Sequence, residues 1–389
     1  MTGNRLLKEI GDIIKRDGPI PFSRFMEISL YHPELGYYAA RKIGIGGGGD
    51  FITSAQASPL FGALLAVQAC ELFGRMGTQT CHIVEYGPGT GAMAASVMEY
   101  LSRNEGEIFS KLTYHLVEPL ESRWQVLENG LDRFRERISI SMGYPESADA
   151  AVIIANEVLD AFPVHVIHKR DGRIFELFID IGDGADLLEE RLVPLEEAIK
   201  SHDADEALRL SRYVDTHLSN LPEDYRTEVN LGIEPWLSEI SRTMDKGFLI
   251  IIDYGFSRAE YLDPARNRGT MIGYHRHRVT EDLLSMPGFV DMTAHVNFSD
   301  LRQWSEEAGF SPIGYAPQWA FLGGLDFDET VRRVMGRLDP FSPELAGIKA
   351  LIFPQAMGES HKVMMLSKGM ESDGFMPKGF SMKNDLDRV

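Results

Sequence analysis

Val84 to Gly91 reads VEYGPGTG, and it links a mostly apolar run that begins at Cys81 to an apolar, helix-like segment from Ala92 to Leu101. This order of segments predicts a buried strand, a tight glycine turn and the start of a helix. Glycines have no Cβ, so such a turn can bring its backbone close to a bound small molecule. The glycines concerned are Gly87, Gly89 and Gly91. The run therefore predicts a ligand site at the end of a strand.

An acid at the next strand end favours an adenosine-containing ligand. The predicted strand Thr113 to Val117 is followed by Glu118. In a doubly wound sheet such an acid reaches the crevice of the glycine turn and accepts hydrogen bonds from ribose hydroxyls. The dinucleotide fingerprint G-x-G-x-x-G does not fit, because the spacing here is G-x-G-x-G and Glu118 comes 27 residues after Gly91.

The acid before the turn points to the kind of adenosine ligand. Glu85 would suit a sulfonium cation and oppose a phosphate, and the sequence contains no G-x-x-x-x-G-K-[ST] phosphate loop. The pattern therefore favours S-adenosylmethionine (SAM). A tight strand–helix connection without any ligand is the structural alternative.

Composition limits the classes of protein that the chain can belong to. Its 389 residues include 39 Lys+Arg and 58 Asp+Glu, for a formal net charge of -19. A general nucleic-acid binder is not expected, because a phosphate backbone would be repelled. Hydrophobic residues make up 44%, which is enough for a full core, in one large domain with insertions or in two domains. No run of 18 apolar residues occurs, so no membrane span is expected.

Cysteine, histidine and the N-terminal charges bear on metals and location. Cys70 and Cys81 form neither a disulfide framework nor a metal knuckle. The histidines lack HExxH or Cys/His ligand spacing, so no metal is expected. At the N-terminus Glu9, Asp12 and Asp17 interrupt the basic residues, whereas a mitochondrial transit peptide is poor in acids. We therefore expect a cytoplasmic, bacterial protein rather than one of the mitochondrial matrix.

The order of segments predicts an α/β fold with a mainly parallel, Rossmann-like sheet. Residues 1–80 are expected to form a helical N-terminal segment, and the glycine-rich stretch Gly44 to Gly62 is expected to be a lid, with a flexible surface loop as the alternative. The Rossmann-like domain would cover 81–366, interrupted at about 164–245 by a hairpin and an acidic helical insertion. Residues 367–389 are polar and are expected to be a disordered tail.

Acids also follow two other predicted strands. Asn156 and Glu157 directly follow the apolar run Val152 to Ala155, and Asp253 is the last residue of another predicted strand. A charge beside a buried strand is costly unless it is paired or lies in a crevice. Carboxylates beside a sulfonium methyl would suit a cationic acceptor such as a guanidinium, which they can hold in a bidentate pair. Helix capping by Asn156 or Asp160 is the structural alternative.

Further runs extend across most of the chain. They are YHPELGYYA (31 to 39), GDFITS (49 to 54), VEP (117 to 119), NEVLDAFPV (156 to 164), EVN (228 to 230), DYG (253 to 255), GTMIGYHRHR (269 to 278) and DMTAHVNF (291 to 298). Together with the glycine turn, they make the chain resemble the MidA family of SAM-dependent methyltransferases. The mitochondrial member of that family is a respiratory complex I assembly factor that methylates arginine.

The resemblance implies a Rossmann-like methyltransferase fold and transfer to a protein arginine, yielding symmetric dimethylarginine on a complex I subunit. It also gives a role to Glu228, which composition alone does not single out. After GDFI the family commonly reads T-S-P-E-I-S, whereas Gln56 stands at the position of the acid in this chain. That departure can alter affinity or target.

These observations lead to one expected function and two alternatives. We expect a SAM-dependent protein arginine methyltransferase whose client and oligomeric state are open. The cofactor would be held by Glu85, Gly87, Gly89, Gly91 and Glu118, with Thr53 and Ser54 as lid contacts, and the acceptor would be positioned by Glu157, Glu228 and Asp253. The alternatives are a non-catalytic assembly chaperone on a methyltransferase scaffold and an NAD-dependent oxidoreductase.

Overall fold

The computed structural model describes residues 3–40, 53–146, 148, 150–183, 187–276, 278–336, 343–371 and 374–389. Its strands are β1 Ile20–Pro21, β2 Cys81–Tyr86, β3 Leu112–Val117, β4 Ile138–Ser141, β5 Ala150–Asn156, β6 His165–Arg170, β7 Arg173–Ile181, β8 Leu188–Pro194, β9 Tyr225–Val229, β10 Lys246–Phe256, β11 Ile272–His275, β12 Arg278–Thr280, β13 Asp291–Thr293, β14 Val296–Asn297, β15 Ser311–Pro317 and β16 His361–Lys368.

The α-helices are distributed along the whole chain. They are α1 Gly3–Asp17, α2 Phe22–Tyr31, α3 Tyr37–Ala40, α4 Ser54–Ala57, α5 Pro59–Met76, α6 Ala92–Asn104, α7 Gly106–Lys111, α8 Trp124–Gly130, α9 Leu195–Ala198, α10 Ala204–Tyr213, α11 Ile233–Thr243, α12 Arg258–Tyr261, α13 Phe298–Glu307, α14 Gln318–Gly323, α15 Phe327–Met335, α16 Pro343–Ile352 and α17 Met357–Ser360. Within the described ranges, none of them has both the length and the apolar character that a membrane crossing requires.

The central sheet runs in the order β15-β16-β10-β5-β2-β3-β4, with the short β14 beside the end of β10. The strands from β10 to β4 pair in parallel. β16 is antiparallel to both β10 and β15, so β15 points the same way as the parallel strands. The predicted α/β fold with a mainly parallel sheet is therefore confirmed.

Both faces of this sheet are covered. In β5, Val152 and Ile154 join one apolar cluster, whereas Ile153 and Ala155 join the other. Helices α5 and α6 cover the first face, and α11 and α13 cover the second. Side chains alternate between the faces of a strand, so a strand that is buried on both faces reads apolar throughout.

The strand order reverses at β2. β3 and β4 lie on one side of β2, whereas β5 and β10 lie on the other. In open α/β sheets, ligands bind in the crevice outside the carboxyl ends of the strands at such a reversal. The glycine turn after β2 and residues 156–160 after β5 both lie at this point.

A second sheet, which is antiparallel, has the order β1-β7-β6-β9, with β8 beside β7. β6 and β7 form the predicted hairpin. The segment that follows is only partly the helical insertion that its composition predicted, since it contains α9 and α10 but also contributes β8 and β9 to this sheet. Glu189, Glu190 and Arg191 favour a helix by composition, but they are exposed on β8, and charged side chains are common on edge strands.

The N-terminal helices pack on this second sheet. Ile10 of α1 and Phe25 of α2 share a third apolar cluster with Val166 and Leu177. The glycine run 46–49, which is the centre of the predicted lid, lies outside the described residues, and the chain is helical again from Ser54. The division of the chain into domains stays a prediction.

The last residues pack against the central sheet. Ser367 and Lys368 belong to β16, and the side chain of Phe380 is only 2% exposed, with its ring 5.3 Å from that of Phe321. The prediction of a disordered tail from residue 367 is wrong. Its polar composition concealed one anchoring ring, which fits because Gly314 has no Cβ that would overlap it.

Candidate cofactor and acceptor site

The glycine turn requires glycine at three positions. The φ angles of Gly87, Gly89 and Gly91 are 61°, 56° and 79°, in the left-handed region that side chains with a Cβ rarely adopt. The N–H of Gly87 donates to the carbonyl of Val117 (3.1 Å), and the N–H of Gly91 donates to the carbonyl of Pro88 (2.7 Å). The turn therefore ties β2 to β3 and directs the start of α6 towards the crevice.

The three glycines face different surroundings. A Cβ on Gly87 would lie 3.1 Å from Cγ2 of Val158, in the segment that follows β5. A Cβ on Gly91 would lie 3.3 Å from Cδ2 of Leu127 in α8. A Cβ on Gly89 would have no described atom within 4 Å. Gly89 therefore borders open space, whereas Gly87 contacts the neighbouring strand end.

Glu118 lies beside this turn, as predicted, and is 3% exposed. Its carboxylate accepts a hydrogen bond from the N–H of Leu120 (3.0 Å) and lies 3.3 Å from Nε of Arg123. The same guanidinium donates to the carbonyl of Gly89 (3.2 Å). Burial raises the pKa of Glu118, and Arg123 offsets part of that rise. Arg123 thus joins the acid of one strand end to the glycine turn of the other.

Glu85 lies under the turn, inside the first apolar cluster. The hydroxyl of Tyr114 donates to its carboxylate at 2.7 Å, and Glu85 is 2% exposed. Burial raises the pKa of Glu85 to about 7, although the Tyr114 hydroxyl lowers it. A direct contact between Glu85 and the cofactor stays a prediction.

Glu157 is held in an unusual backbone conformation directly after β5. Its φ is 53°, which costs roughly 1–3 kcal/mol for a residue with a Cβ and is typical of functional sites. Its Oε1 accepts hydrogen bonds from the N–H of Ser54 (3.0 Å) and from Nδ2 of Asn156 (3.3 Å). Nε2 of His361 lies 3.8 Å away. The strained backbone turns the carboxyl group into the crevice beside the glycine turn.

The carboxyl groups near Glu157 share a buried environment. Burial raises the pKa of Glu157 to about 8, and the nearby Asp160 and Asp291 contribute to the rise. Burial also raises the pKa of Asp160 to about 6, although its hydrogen bond from the Tyr254 hydroxyl lowers it. A cation placed among these groups would favour their ionised forms.

Three buried polar atoms around Glu157 have no hydrogen-bond partner among the described residues. They are Asn156 Oδ1, Asp160 Oδ1 and His361 Nε2. Buried polar atoms in folded proteins are nearly always bonded, because an unpaired one costs about 1–3 kcal/mol. Their grouping here is typical of a site that binds a polar ligand.

Asp253 binds the backbone of the segment that follows Glu157. It has no exposed surface, and its Oδ2 accepts hydrogen bonds from the N–H groups of Leu159 (3.0 Å) and Asp160 (3.2 Å). Its Oδ1 accepts the N–H of Tyr254 (2.9 Å). The carboxyl group thus fixes the short 3-10 helix Leu159–Ala161 on β10. These contacts give Asp253 a positioning role behind Glu157 and Asp160.

Replacement of this carboxyl group is expected to destabilise the fold. Asp253→Ala leaves three buried N–H groups without acceptors, so we expect a loss of about 2–4 kcal/mol in the free energy of unfolding. Urea denaturation followed by circular dichroism measures it. Asp263→Ala is the control, because Asp263 lies on an exposed turn. An Asp253→Ala protein as stable as the wild type would contradict the positioning role.

Two tyrosines from the N-terminal segment border the same crevice. The rings of Tyr31 and Tyr38 lie 5.3 Å apart, and the Tyr38 hydroxyl donates to Oδ1 of Asp291 (3.1 Å). Burial raises the pKa of Tyr31, and the carboxylates of Asp160, Asp291 and Glu118 raise it further. Tyr31 is therefore within electrostatic reach of the acid beside the glycine turn and of the acids near Glu157.

The sequence model of a family described as putative S-adenosyl-L-methionine-dependent methyltransferases matches residues 64–316, which is more than half of the chain. The chain belongs to this family. This methyltransferase therefore uses SAM, and the nicotinamide alternative is set aside.

Curated relatives of this methyltransferase are named mitochondrial protein arginine methyltransferases. The protein arginine methyltransferase NDUFAF7 of Danio rerio is 26% identical over 378 residues, which cover 91% of this chain and 85% of the relative. The homologue of Drosophila melanogaster is 27% identical over 407 residues, which cover 97% and 88%. These similarities span nearly the whole chain.

A solved structure shares the fold over its full length. It is described as a likely methyl transferase of the COG1565 superfamily from Burkholderia thailandensis, bound to S-adenosyl-homocysteine. It is 28% identical to this methyltransferase, with a TM-score of 0.85 and coverage of 100% of this chain and 97% of that one. A native structure from the same organism gives a TM-score of 0.84 at 28% identity.

The residues at the strand reversal fit SAM. The left-handed glycine turn leaves open space at Gly89, and the acid at the next strand end is where a ribose-binding carboxylate belongs. Gly87, Gly89, Gly91 and Glu118 are thus brought together at one crevice. Their individual contacts with the cofactor stay predictions.

Thr53 and Ser54 have structural contacts of their own. The Thr53 hydroxyl accepts the N–H of Gln56 (3.4 Å) and caps α4. Ser54 has no exposed surface, and its hydroxyl donates to Oε1 of Gln318 (3.1 Å). Gln56 itself is exposed, so the departure from the family acid falls on a surface position. Lid contacts of Thr53 and Ser54 with the cofactor stay a prediction.

Glu228 lies apart from the Glu157 group, on β9. Its Oε2 accepts the N–H and the hydroxyl of Thr270 (both 2.9 Å) and the hydroxyl of Tyr261 (3.2 Å). A Cβ on Gly269 would overlap its carboxylate, and burial raises its pKa. Thr270 Oγ1 also accepts the N–H of His295 (3.1 Å). Thr270 and His295 connect Glu228 towards Tyr254, whose ring lies 5.0 Å from that of His295.

Sequence reasoning missed several residues that line the crevice. They are Tyr31, Tyr38, Arg123, Asp291 and His361, while Asp160 entered only as a helix cap. Tyr31, Tyr38 and Asp291 all lie in runs that carry the family resemblance, which was an available signal. Arg123 and His361 lay in no such run, and only the fold brings them to the strand ends.

Proposed function

We propose that this methyltransferase acts on arginine side chains of a protein, and that it forms symmetric dimethylarginine on a respiratory complex I subunit. The observation that carries the acceptor class is the group of carboxyls at Glu157, Asp160 and Asp291, bordered by tyrosines, in which the side chains of Glu157 and Asp160 are buried and Asp291 is half-buried. A guanidinium is planar, always charged and weakly hydrated, so it suits an acidic, aromatic crevice. The names of the curated relatives support the same class.

Glu157 is the group that we assign to the acceptor. Its carboxyl group is held by Ser54 and Asn156, and it adjoins the glycine turn through the contact of Val158 with Gly87. Pairing with a guanidinium would ionise it, because a nearby cation lowers the pKa of a carboxyl group. The carboxylate then fixes the plane of the guanidinium and keeps one nitrogen free to react.

The chemistry requires a place for one proton. Bound SAM supplies an electrophilic methyl group on a sulfonium. When an arginine nitrogen forms its bond to that methyl group, the carbon–sulfur bond breaks with its electron pair left on sulfur, and the nitrogen loses one proton. Glu157 can accept that proton, since burial places its pKa at about 8 when no cation is nearby.

The pH dependence of the reaction follows from this assignment. The acceptor needs ionised Glu157, whose pKa is about 8 in the free protein. We therefore expect kcat/KM for an arginine peptide to rise with pH, by about tenfold per unit below pH 8, and to level off above it. The control is the affinity for the product S-adenosylhomocysteine, whose sulfur is uncharged. This affinity should not change near pH 8. A kcat/KM that is flat or falls across this range would exclude Glu157 as the acceptor carboxylate.

The proposal is tested with the purified chain, SAM and arginine peptides matched to lysine peptides of the same charge. Fragmentation mass spectrometry distinguishes symmetric from asymmetric dimethylarginine. Comparison of complex I subunits from a deletion strain and its parent tests the client. Transfer to lysine alone would refute the acceptor class, and an unchanged methylation pattern in the deletion strain would refute the client.

A further inference from the structure

Four titratable side chains meet between the second sheet and helix α10. They are His165 on β6, Glu176 on β7, His202 just before α10 and Glu206 on α10, and together they are called the His–Glu ring. His165, Glu176 and the side chain of His202 are no more than 2% exposed. None of them takes part in the cofactor and acceptor site.

The contacts of the His–Glu ring are closed. Glu176 lies 2.8 Å from Nδ1 of His165 through Oε1, and 2.8 Å from Nε2 of His202 through Oε2. The remaining nitrogens face Glu206, at 3.3 Å for His165 Nε2 and 3.1 Å for His202 Nδ1. Every imidazole nitrogen therefore faces a carboxylate oxygen.

The contacts of the His–Glu ring restrict the protonation states of its two histidines. A neutral imidazole carries one N–H, so it can donate to only one of its two carboxylate neighbours, and the lone pair of the other nitrogen would face an oxygen. Without a cation, all four contacts are satisfied only when both rings are protonated and both carboxylates are ionised, with the ring centres 5.0 Å apart. That arrangement sums to zero charge, but it keeps four charges in a buried position, and each of them is costly to desolvate.

A divalent cation can take the place of the two additional protons. It accepts the lone pair that each neutral histidine directs towards Glu176, while each remaining N–H donates to Glu206. Metal-bound histidines usually have such an outer carboxylate, which fixes their tautomer and orientation. Two carboxylates and one divalent cation also sum to zero charge.

We propose that the His–Glu ring is a structural zinc site, with His165 Nδ1, Glu176 and His202 Nε2 as ligands and Glu206 as the orienting carboxylate. The ligand atoms of His165, Glu176 and His202 lie within 4.8 Å of one another. Two imidazoles and a carboxylate form a ligand set that zinc commonly uses. Among the described residues, no other group of this kind is found. The burial of the ligands favours a structural role, in which both oxygens of Glu176 would complete the four donor atoms that structural zinc usually has.

The site would hold α10 on the hairpin of β6 and β7. β6 begins shortly after the 3-10 helix Leu159–Ala161, which carries Asp160. No sequence motif indicates this site, because the ligands come from two strands and a loop rather than from one compact motif. Only the pairing of Ile167 with Glu176, which brings His165 to the same face of the sheet, makes the set visible.

Untagged full-length protein, purified without chelator, tests the proposal by elemental mass spectrometry. We expect about one zinc per chain. After chelator treatment, titration with zinc chloride against a chromophoric competitor should give a site that is tighter than about 1 µM. Zinc alone should raise the thermal midpoint of the stripped protein. Magnesium chloride at the same concentration should have no effect, because nitrogen ligands suit zinc.

Variants connect the binding to these residues. His202→Gln should weaken zinc binding at least 100-fold, and Glu206→Gln should weaken it by about 10–100-fold while keeping the ligands. His168→Gln, on the same strand but outside the ring, should bind zinc like the wild type. If His202→Gln does not fold, the zinc affinities of Glu206→Gln and of the metal-stripped wild type still test the proposal. A folded, stripped protein that binds no zinc, or a Glu206→Gln protein with unchanged affinity, overturns the proposal.

Discussion

Gly89→Val is expected to abolish cofactor binding. The side chain would enter the open space at the glycine turn, and a β-branched residue resists the φ of 56° found there. We expect affinity for S-adenosylhomocysteine to fall more than about 100-fold, since strain and lost backbone approach act together. Isothermal titration calorimetry with the purified variant measures this loss.

Gly172→Val is a matched control for that substitution. Gly172 lies in the hairpin between β6 and β7 with φ of 70°, and a Cβ there also has no described atom within 4 Å. The control should therefore carry a similar backbone strain but keep full cofactor affinity. Equal losses in both variants would mean that strain alone is responsible, and that the turn does not hold SAM.

The same pair of variants separates the enzyme from the chaperone alternative. A chaperone on a methyltransferase scaffold would bind its client with or without cofactor. If Gly89→Val loses S-adenosylhomocysteine binding but restores a deletion strain as fully as Gly172→Val does, the chaperone alternative is favoured. Loss of function with Gly89→Val alone favours the enzyme.

Glu157→Gln is expected to remove methyl transfer while it leaves the cofactor affinity within about threefold of wild type. The amide keeps the shape of the side chain and can still accept the N–H of Ser54, but it can neither pair with a guanidinium nor take up a proton. We expect kcat to fall at least about 100-fold, which is typical for the loss of a general base. Glu189→Gln, on the exposed edge strand β8, is the control for removal of one negative charge.

The same variant should gain stability at alkaline pH. Burial raises the pKa of Glu157 from 4.5 in the unfolded chain to about 8 in the fold. Between these values the folded protein binds more protons than the unfolded chain, so the contribution of Glu157 to stability falls as pH rises. An amide has no such dependence. At about pH 9 we expect Glu157→Gln to be more stable than wild type by on the order of 1–3 kcal/mol, measured by urea denaturation. A Glu157→Gln protein that is less stable than wild type at that pH would show that the ionised Glu157 carboxylate does not destabilise the fold.

How much of the site could be predicted depended on how local its signals were. The glycine turn and Glu118 were predicted because each follows directly from a strand end. Asp253 was predicted to position the acceptor, which stays a prediction, and a strand pattern cannot reveal the three N–H groups that its carboxyl group binds in the structure. His361 was missed, since its approach to Glu157 depends on a pairing between β10 and β16 across more than a hundred residues.

The errors in the predicted fold also come from tertiary contacts that composition does not show. β8 is rich in charged residues, and only its pairing with β7 makes it a strand. The C-terminal residues are polar apart from a few rings, and Phe380 is ordered by a groove formed at Gly314 and Phe321. Tertiary partners decided both cases: β7 shortly precedes β8 in the sequence, whereas Gly314 and Phe321 lie far before Phe380.

The reversed direction of β16 has a consequence for synthesis of the protein. Because β16 is antiparallel, its first residue rather than its last reaches the ligand edge of the sheet, where His361 pairs with Tyr254. The ribosome must therefore synthesise the start of β16 before that edge is complete. A nascent chain can form β2, β3, β4 and β5 first, because β5 ends about two hundred residues before His361, and during that interval the ligand edge lacks this histidine.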